Sequence, residues 1–368
     1  MTKAVRILAL LFILVLIAGG IGAVGIFVIS DGNPIKWVQI ELIRVSLAGR
    51  QDELAQSVSG DPTDIRFTID VGDAPRTVAQ KLLSQNLILD GELFVDYLQL
   101  EGLDTQIEAG TYFLNQTQAI PDIAYTIIDS RNSSITFRVS EGTRLEEVAE
   151  AIDANGLFGF TGQEFLNLSR VGFADLPEYA VIFGAPGDAS LEGYLFPDTY
   201  VLPPSITAIG LRDILIQAFV DSIQGDLINA IQAQGWSVHD IVKLASIVER
   251  EAVWDEENAT IASVYRNRLD IGMTLDADPT VQYGLQGSRG SWWPQITQAD
   301  YRNVQSPYNL YLNAGLPPGP IANPSRSAIE GATYPAETDY FYFQAQCDGS
   351  GYHNFTQTYE QHLQNSCF

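Results

Sequence analysis

The chain has 368 residues, of which 46% are hydrophobic and 10% aromatic, and 20 Lys and Arg against 45 Asp and Glu give it a formal net charge of −25. This apolar content can bury a sizeable core, which excludes a globally disordered chain. The acidic balance argues against nucleic acid as a partner, because phosphate backbones attract basic surfaces. The length favours about two domains.

The N-terminal apolar run spans residues 7–29, which contain no charged residue and no proline. A membrane-spanning helix needs about 20 such residues. Lys3 and Arg6 precede the run and Asp31 follows it, which predicts a cytoplasmic tail at residues 1–6 and an exported remainder. The alternative is a cleaved signal peptide, whose apolar region is shorter, at roughly 7–15 residues. We therefore expect a single transmembrane helix in the cell membrane, with the N-terminus in the cytoplasm and the rest of the chain outside.

A helical-looking stretch follows this run and ends at Gly60, Asp61 and Pro62. It mixes apolar side chains with charged ones, so it could lie at the membrane surface or extend away from it. Residues 30–64 are therefore predicted to form a juxtamembrane helix or stalk.

An internal repeat with an offset of 70 residues starts at Phe67 and again at Phe137. Each copy has a short alternating strand, a glycine turn and an amphipathic helix. The spacing resembles LysM-type modules, which bind N-acetyl sugars. The alternative is a small α+β packing unit that binds nothing. We predict a first LysM-like unit and connection at residues 65–135, and a second unit at residues 136–190 that precedes a catalytic region at residues 191–368.

The region after residue 190 is richer in Tyr, Pro and Asn. Apolar periodicity predicts helices at residues 206–224, 225–234, 238–251 and 256–270. Glycine, proline and tyrosine dominate residues 276–324, which indicates ordered loops around a site. The predicted fold class is α+β, with LysM-like α/β units and a mixed α+β catalytic domain.

The most informative segment is the predicted helix at residues 238–251. Its apolar stripe is centred about 80° from Glu249 at about 100° per residue, so this glutamate lies at the edge of the buried face. Glu251 lies about 200° from Glu249 on the same wheel, so the two carboxylates cannot share one site. Apolar neighbours would raise the pKa of Glu249, as a general acid near neutral pH requires. The alternative is an amphipathic helix with ordinary boundary glutamates.

Three further segments combine aromatic rings with carboxylates, hydroxyls and amides, at residues 191–200, 276–284 and 306–321. Carbohydrate clefts need this mixture, since flat rings stack on sugars while polar groups bind hydroxyls. Each segment alone is equally typical of a packed turn. Together they favour a polysaccharide site, and the side chains that we assign to sugar binding are Glu192, Tyr194, Asp198, Asp278, Thr280, Tyr283, Tyr308 and Asn309.

These motifs resemble the endolytic murein transglycosylases, the MltG (YceG-like) family. The resemblance is carried by Leu-Glu-Gly-Tyr-Leu-Phe-Pro-Asp-Thr-Tyr at residues 191–200, Leu-Ala-Ser-Ile-Val-Glu-Arg-Glu-Ala at residues 244–252, and the segments at residues 263–269, 278–284, 308–309, 315–321 and 351–355. It implies a YceG-like catalytic domain that cleaves MurNAc–GlcNAc β-1,4 bonds and terminates nascent glycan strands, with a wall synthase as a natural partner. It also implies that Glu249 is catalytic and adds His353 to the sugar-binding residues. Tyr352 departs from the family pattern, where Gly or His is more usual, and the role of His353 stays open.

A lytic reaction suits a single carboxylic acid. Glu249 would protonate the glycosidic oxygen while the sugar's own C6 hydroxyl attacks, which gains from proximity and gives a 1,6-anhydro end. One alternative is a muramidase that uses Glu192 or Asp198 as a second carboxylate. Another is a non-catalytic, LysM-like scaffold that binds glycan.

Metal chemistry is not indicated, and no cofactor is expected. His239, His353 and His362 are too scattered to suggest a metal site, so a metal-dependent amidase is a weak option. Cys347 and Cys367 could form a disulfide outside the membrane, or stay as two thiols.

Overall fold

The computed structural model describes residues 34–366, so the predicted anchor at residues 7–29 lies outside the described part. The chain divides between Ser134 and Ile135 into two compact units, and each has its own hydrophobic core. Among the described residues no single helix is long and apolar enough to cross a membrane. The pair Ala208–Ile223 and Asp226–Ala233 reaches that length and hydropathy only when taken together, across a bend of 72°.

The first unit packs helices against one small antiparallel sheet. Strand β1 (Ile65–Ile69) pairs with β2 (Gly110–Leu114), so that Phe67 stands opposite Tyr112. Alternation along β1 turns Phe67 and Ile69 into the core, where both are buried. The helices of this unit are Pro34–Ala48, Gln51–Leu54, Pro75–Ser84, Gly91–Glu101 and Ile120–Thr126, followed by a 3-10 turn at Ser130–Asn132. The helical stretch predicted before Gly60 thus breaks near Gly49.

The second unit contains two antiparallel pairs of strands. β3 (Ile135–Val139) pairs with β4 (Asp198–Leu202), and β5 (Tyr342–Ala345) pairs with β6 (His353–Thr356). Its helices are Leu145–Asn155, Gly162–Val171, Pro177–Phe183, Ala208–Ile223, Asp226–Ala233, Val238–Glu251, Asn258–Asp270, Asp278–Gly284, Asp300–Asn303, Arg326–Thr333 and Tyr359–Gln364, with 3-10 turns at Gly172–Ala174 and Asp255–Glu257. The predicted α+β class is confirmed.

The two copies of the repeat share one order of elements, and it extends beyond the predicted strand, turn and helix. In both copies two helices follow the strand, and a later strand pairs with it in the antiparallel sense. The second copy adds the helix Pro177–Phe183 before that later strand. The second copy is not a separate body, because its helix Leu145–Asn155 shares a core with the helix Val238–Glu251. That core continues across residue 190.

Candidate active site

The helix Val238–Glu251 begins and ends through local signals. The Ser237 hydroxyl accepts a hydrogen bond from the Asp240 backbone N–H at 3.0 Å, which satisfies one of the free donors at the start of the helix. Its apolar face is fully buried, and the last turn closes where the Ala252 N–H donates to the Val248 carbonyl. Glu249 therefore lies in the final turn, at the edge of a rigid and well-packed element.

The Glu249 carboxyl is partly buried and has a fixed partner. The Ser325 backbone N–H donates to its Oε2 at 2.9 Å. Burial raises the pKa of Glu249 above its ordinary value, the Ser325 hydrogen bonds lower it, and the negative charges of Glu141 and Asp255 raise it further. A carboxyl in this setting holds its proton to a higher pH than an exposed one, which is what a general acid needs.

Two loops meet beside this carboxyl through both the backbone and the side chain of Asn323, a residue that has no exposed surface. The Gly142 N–H donates to the Asn323 carbonyl at 2.8 Å, and the Asn323 N–H donates back to the Thr143 carbonyl at 2.8 Å. The Asn323 amide also donates to Thr143 and accepts from the Leu195 N–H. Asn323 therefore fixes the loop that carries Ser325 against the glycine turn of the second repeat.

Gly142 allows that close approach. Its φ is +68°, a conformation that residues with a side chain rarely adopt. A Cβ at this position would lie 3.0 Å from Nη1 of Arg250 and 3.6 Å from Cγ of Glu249. The 3.6 Å distance is an ordinary contact, so the turn needs glycine for its backbone conformation and for the space that it leaves to the Arg250 side chain.

Aromatic rings and two arginines form a wall next to this turn. The guanidinium of Arg250 lies 3.9 Å from the ring centroid of Trp293, and the Trp293 indole N–H donates to Glu147 at 2.9 Å. The buried guanidinium of Arg144 lies 4.0 Å from the ring centroid of Tyr283. Desolvated pairs of this kind hold a cation firmly over a ring. The sequence analysis did not predict a role in the site for Asn323, Arg144, Arg250 and Trp293. Their roles depend on contacts with residues that are far away along the chain, which the sequence does not show.

The two carboxylates considered as a second catalytic group differ in their surroundings. Glu192 is 2% exposed and accepts hydrogen bonds from the Leu145 N–H at 3.1 Å and the Tyr283 hydroxyl at 3.2 Å. Burial raises its pKa well above the ordinary value. Asp198 is exposed at the start of β4 and accepts a hydrogen bond from the Thr199 N–H. Glu192 thus supports the turn that leads into the helix Leu145–Asn155.

Tyr194, Thr280 and Asn309 were predicted to bind sugar, but none of them has exposed surface. The Tyr194 hydroxyl lies 2.6 Å from Nδ1 of His239. The Thr280 hydroxyl donates to the Ala277 carbonyl, and the Asn309 amide donates to backbone carbonyls of the loop that precedes it. Direct contact with a ligand does not fit this burial. Their polar atoms instead hold the loops together. The sequence alone does not distinguish a polar side chain with this role from one that binds sugar.

The remaining predicted residues lie in partly open surroundings. The rings of Tyr283 and Tyr308 are 4.6 Å apart at 48°. Asp278 accepts a hydrogen bond from the Tyr311 hydroxyl at 2.6 Å. Nδ1 of His353 lies 2.8 Å from a Glu257 oxygen, and the His353 N–H donates to the other oxygen of the same carboxyl. Their contact with sugar stays a prediction.

Glu251 faces other partners than Glu249, as the helical wheel predicts. The Tyr265 hydroxyl donates to its Oε1 at 2.9 Å, and burial raises the pKa of Glu251 to about 7. Within residues 34–366 no three His, Cys, Asp or Glu side chains are grouped so that they could hold a metal ion. Cys367 lies outside the described residues, so the Cys347–Cys367 disulfide stays a prediction.

Comparisons with known proteins support the family resemblance of these motifs. The chain is 30% identical over 314 residues to a Bacillus subtilis protein named endolytic murein transglycosylase, an alignment that covers 82% of this chain and 83% of that protein. A Streptococcus pneumoniae protein of the same name is 28% identical over 317 residues, which cover 80% of this chain and 56% of that protein.

A crystal structure of a yceG-like protein from Listeria monocytogenes superposes with a TM-score of 0.58 at 28% identity, over 83% of this chain and all of that one. The YceG-like family itself is matched by residues 67–367. The match spans most of the chain, and this protein belongs to the YceG-like family.

Proposed function

We propose that this chain is an endolytic murein transglycosylase that cleaves MurNAc–GlcNAc β-1,4 bonds within peptidoglycan glycan strands. The observation that carries the proposal is the partly buried Glu249 carboxyl, whose raised pKa and fixed orientation suit proton transfer. The names of the relatives support the same reaction class.

The reaction needs one carboxylic acid and no water. Because the Ser325 N–H donates to Oε2, the proton of Glu249 would sit on Oε1, from which it passes to the glycosidic oxygen. The bond from C1 of MurNAc to that oxygen breaks while the C6 hydroxyl of the same sugar bonds to C1. The proton of that hydroxyl returns to Glu249, so the acid is restored and the product carries a 1,6-anhydro end.

A Glu249→Gln variant tests this assignment directly. The amide keeps the shape of the side chain but cannot donate the proton, so cleavage of defined glycan strands should fall by about 10²-fold or more. Glu178→Gln, which changes an exposed glutamate on the helix Pro177–Phe183, is the matched control and should cleave like the wild type. Near-normal cleavage by folded Glu249→Gln protein would refute the role of Glu249.

The muramidase alternative is less well supported by the surroundings of its proposed partners. Glu192 is buried and holds two hydrogen bonds within the protein, and Asp198 lies exposed at the start of a strand. The scaffold alternative rests on the repeat, and we propose that its two LysM-like copies add glycan affinity to a catalytic chain. Binding of peptidoglycan without release of any soluble fragment would favour the scaffold.

We further propose that residues 7–29 anchor the protein in the cell membrane with residues 1–6 in the cytoplasm, and that residues 30–64 form a stalk. The charge asymmetry around the apolar run supports this orientation. Tethering would keep the active site near newly made strands, where it would terminate them beside a peptidoglycan synthase. External protease should degrade the ectodomain of intact spheroplasts and leave a small membrane-bound fragment. Full protection would contradict this topology.

A further inference from the structure

An aromatic pair lies just beyond the helix that carries the candidate acid and takes no part in the reaction described above. Trp254 follows the helix of Glu249 by three residues and is 44% exposed. Its ring lies against that of Tyr352, with centroids 5.7 Å apart and planes at 23°. The indole is therefore supported by a second ring and remains accessible to solvent.

Hydrogen bonds hold both rings in place. The Trp254 indole N–H donates to the Ser350 carbonyl at 2.8 Å, and the Tyr352 hydroxyl donates to Glu256. Gly351 has φ +81°, and a Cβ there would lie 2.9 Å from Cγ1 of Val253. The glycine lets the turn before β6 close onto the segment after the helix, so the rings are preorganised before any ligand binds.

The position of the aromatic pair relative to Glu249 indicates which ligand the pair would contact. Glu249 lies in the last turn of the helix Val238–Glu251, and Trp254 follows it by five residues, directly beyond the end of that helix. A glycan strand is a polymer that extends beyond the bond being cut, so a strand seated at Glu249 must cross the residues beside it. A sugar ring offers a flat C–H face for the indole, and the exposed carboxylates of Asp255 and Glu256 can accept hydrogen bonds from its hydroxyl and acetamido groups.

We propose that Trp254 and Tyr352 form a stacking platform for an N-acetylhexosamine ring next to the cleaved bond. This inference rests on the proposed function and adds a specific sugar subsite to it. Trp254 contacts the sugar, and Tyr352 is a positioning residue that supports the indole.

The test measures cleavage of defined glycan strands by the full chain. Trp254→Ala should raise KM about tenfold while kcat changes little, because a stacking contact of this kind contributes mainly to binding. Trp254→Phe should recover part of the loss. Tyr352→Ala should raise KM several-fold, whereas Tyr352→Phe, which keeps the ring and loses only the hydrogen bond to Glu256, should stay near the wild type. The matched control is Tyr334→Ala, a second exposed aromatic residue of the same unit, with unchanged KM.

Binding measured in the Glu249→Gln background separates this proposal from the proposed function. Calorimetry with a soluble GlcNAc–MurNAc oligosaccharide should show about tenfold weaker binding when Trp254→Ala is added to Glu249→Gln. Equal binding by the single and double variants would overturn the platform even if Glu249→Gln abolishes cleavage. Weaker binding by the double variant would support the platform even if Glu249→Gln stays active and the proposed function fails.

Discussion

At the scale of the residue, the chemistry depends on the protonation of Glu249. Burial, Glu141 and Asp255 raise its pKa, while Ser325 lowers it. If the protonated form is the active one, kcat/KM should fall with rising pH as Glu249 loses its proton, and the midpoint of that fall should lie above the ordinary pKa of a glutamate.

Glu141→Gln should move this fall to lower pH. Removing a nearby negative charge makes it easier for Glu249 to ionise, so its pKa decreases, and the change is small because the charge is exposed and partly screened. The pH dependence of kcat/KM on soluble glycan strands measures the shift. Glu178→Gln should leave the midpoint unchanged, and a midpoint that moves upward with Glu141→Gln would contradict the electrostatic account.

At the scale of the element, the site depends on a glycine turn packed against the end of a helix. Gly142 and Gly156 have nearly the same φ, +68° and +69°, but only a Cβ at Gly142 would meet neighbouring atoms. The two glycines therefore form a matched pair that separates backbone strain from crowding of Arg250, the neighbour of the catalytic glutamate.

Alanine at either glycine should lower the free energy of unfolding by about 1–2 kcal/mol, the cost of a left-handed conformation for a residue with a side chain. Gly142→Ala should also lower kcat/KM several-fold, because the added Cβ would force the Arg250 side chain beside the catalytic carboxyl to shift. Gly156→Ala should cleave normally. Chemical denaturation and steady-state kinetics measure the two effects, and equal activity in both variants would remove Gly142 from the site.

The secondary-structure elements were more predictable from the sequence than the contacts between them. The helix Val238–Glu251 has the predicted bounds, because its serine cap and apolar period are local signals. The site was only partly predictable, since the Asn323 amide meets the Thr143 carbonyl across 180 residues of chain. Tyr194 was predicted to bind sugar because it lies in an aromatic motif, and such a motif does not show whether the side chain is buried. Only the assembled core shows that it packs among other rings.

At the scale of the whole molecule, several buried or partly buried carboxyls have raised pKa values, among them Glu192, Glu249 and Glu251. In the unfolded chain each of these three would ionise near its ordinary pKa of 4.5. Above that pH the folded state holds more protons than the unfolded state, so the free energy of unfolding falls as the pH rises. Carboxyls with lowered pKa values, such as Asp90 and Asp73, act oppositely and lose their contribution in more acidic solution.

Glu251→Gln tests this balance. The Glu251 pKa of about 7, against 4.5 when unfolded, should cost roughly 3 kcal/mol of stability between those two pH values. The variant keeps an acceptor for the Tyr265 hydroxyl and should show a flatter decline over that range. Urea unfolding from pH 4.5 to pH 8 measures it, and an unchanged slope would mean that Glu251 ionises normally in the folded protein.

The most direct test of the central claim is the origin of the new end formed at each cut. Defined glycan strands are digested in heavy-oxygen water, and the products are weighed by mass spectrometry. If Glu249 alone transfers the proton while the sugar closes on itself, the products carry 1,6-anhydro ends without heavy oxygen, and Glu249→Gln yields almost none. Reducing ends that contain one heavy oxygen would show that water is the nucleophile and would contradict the account.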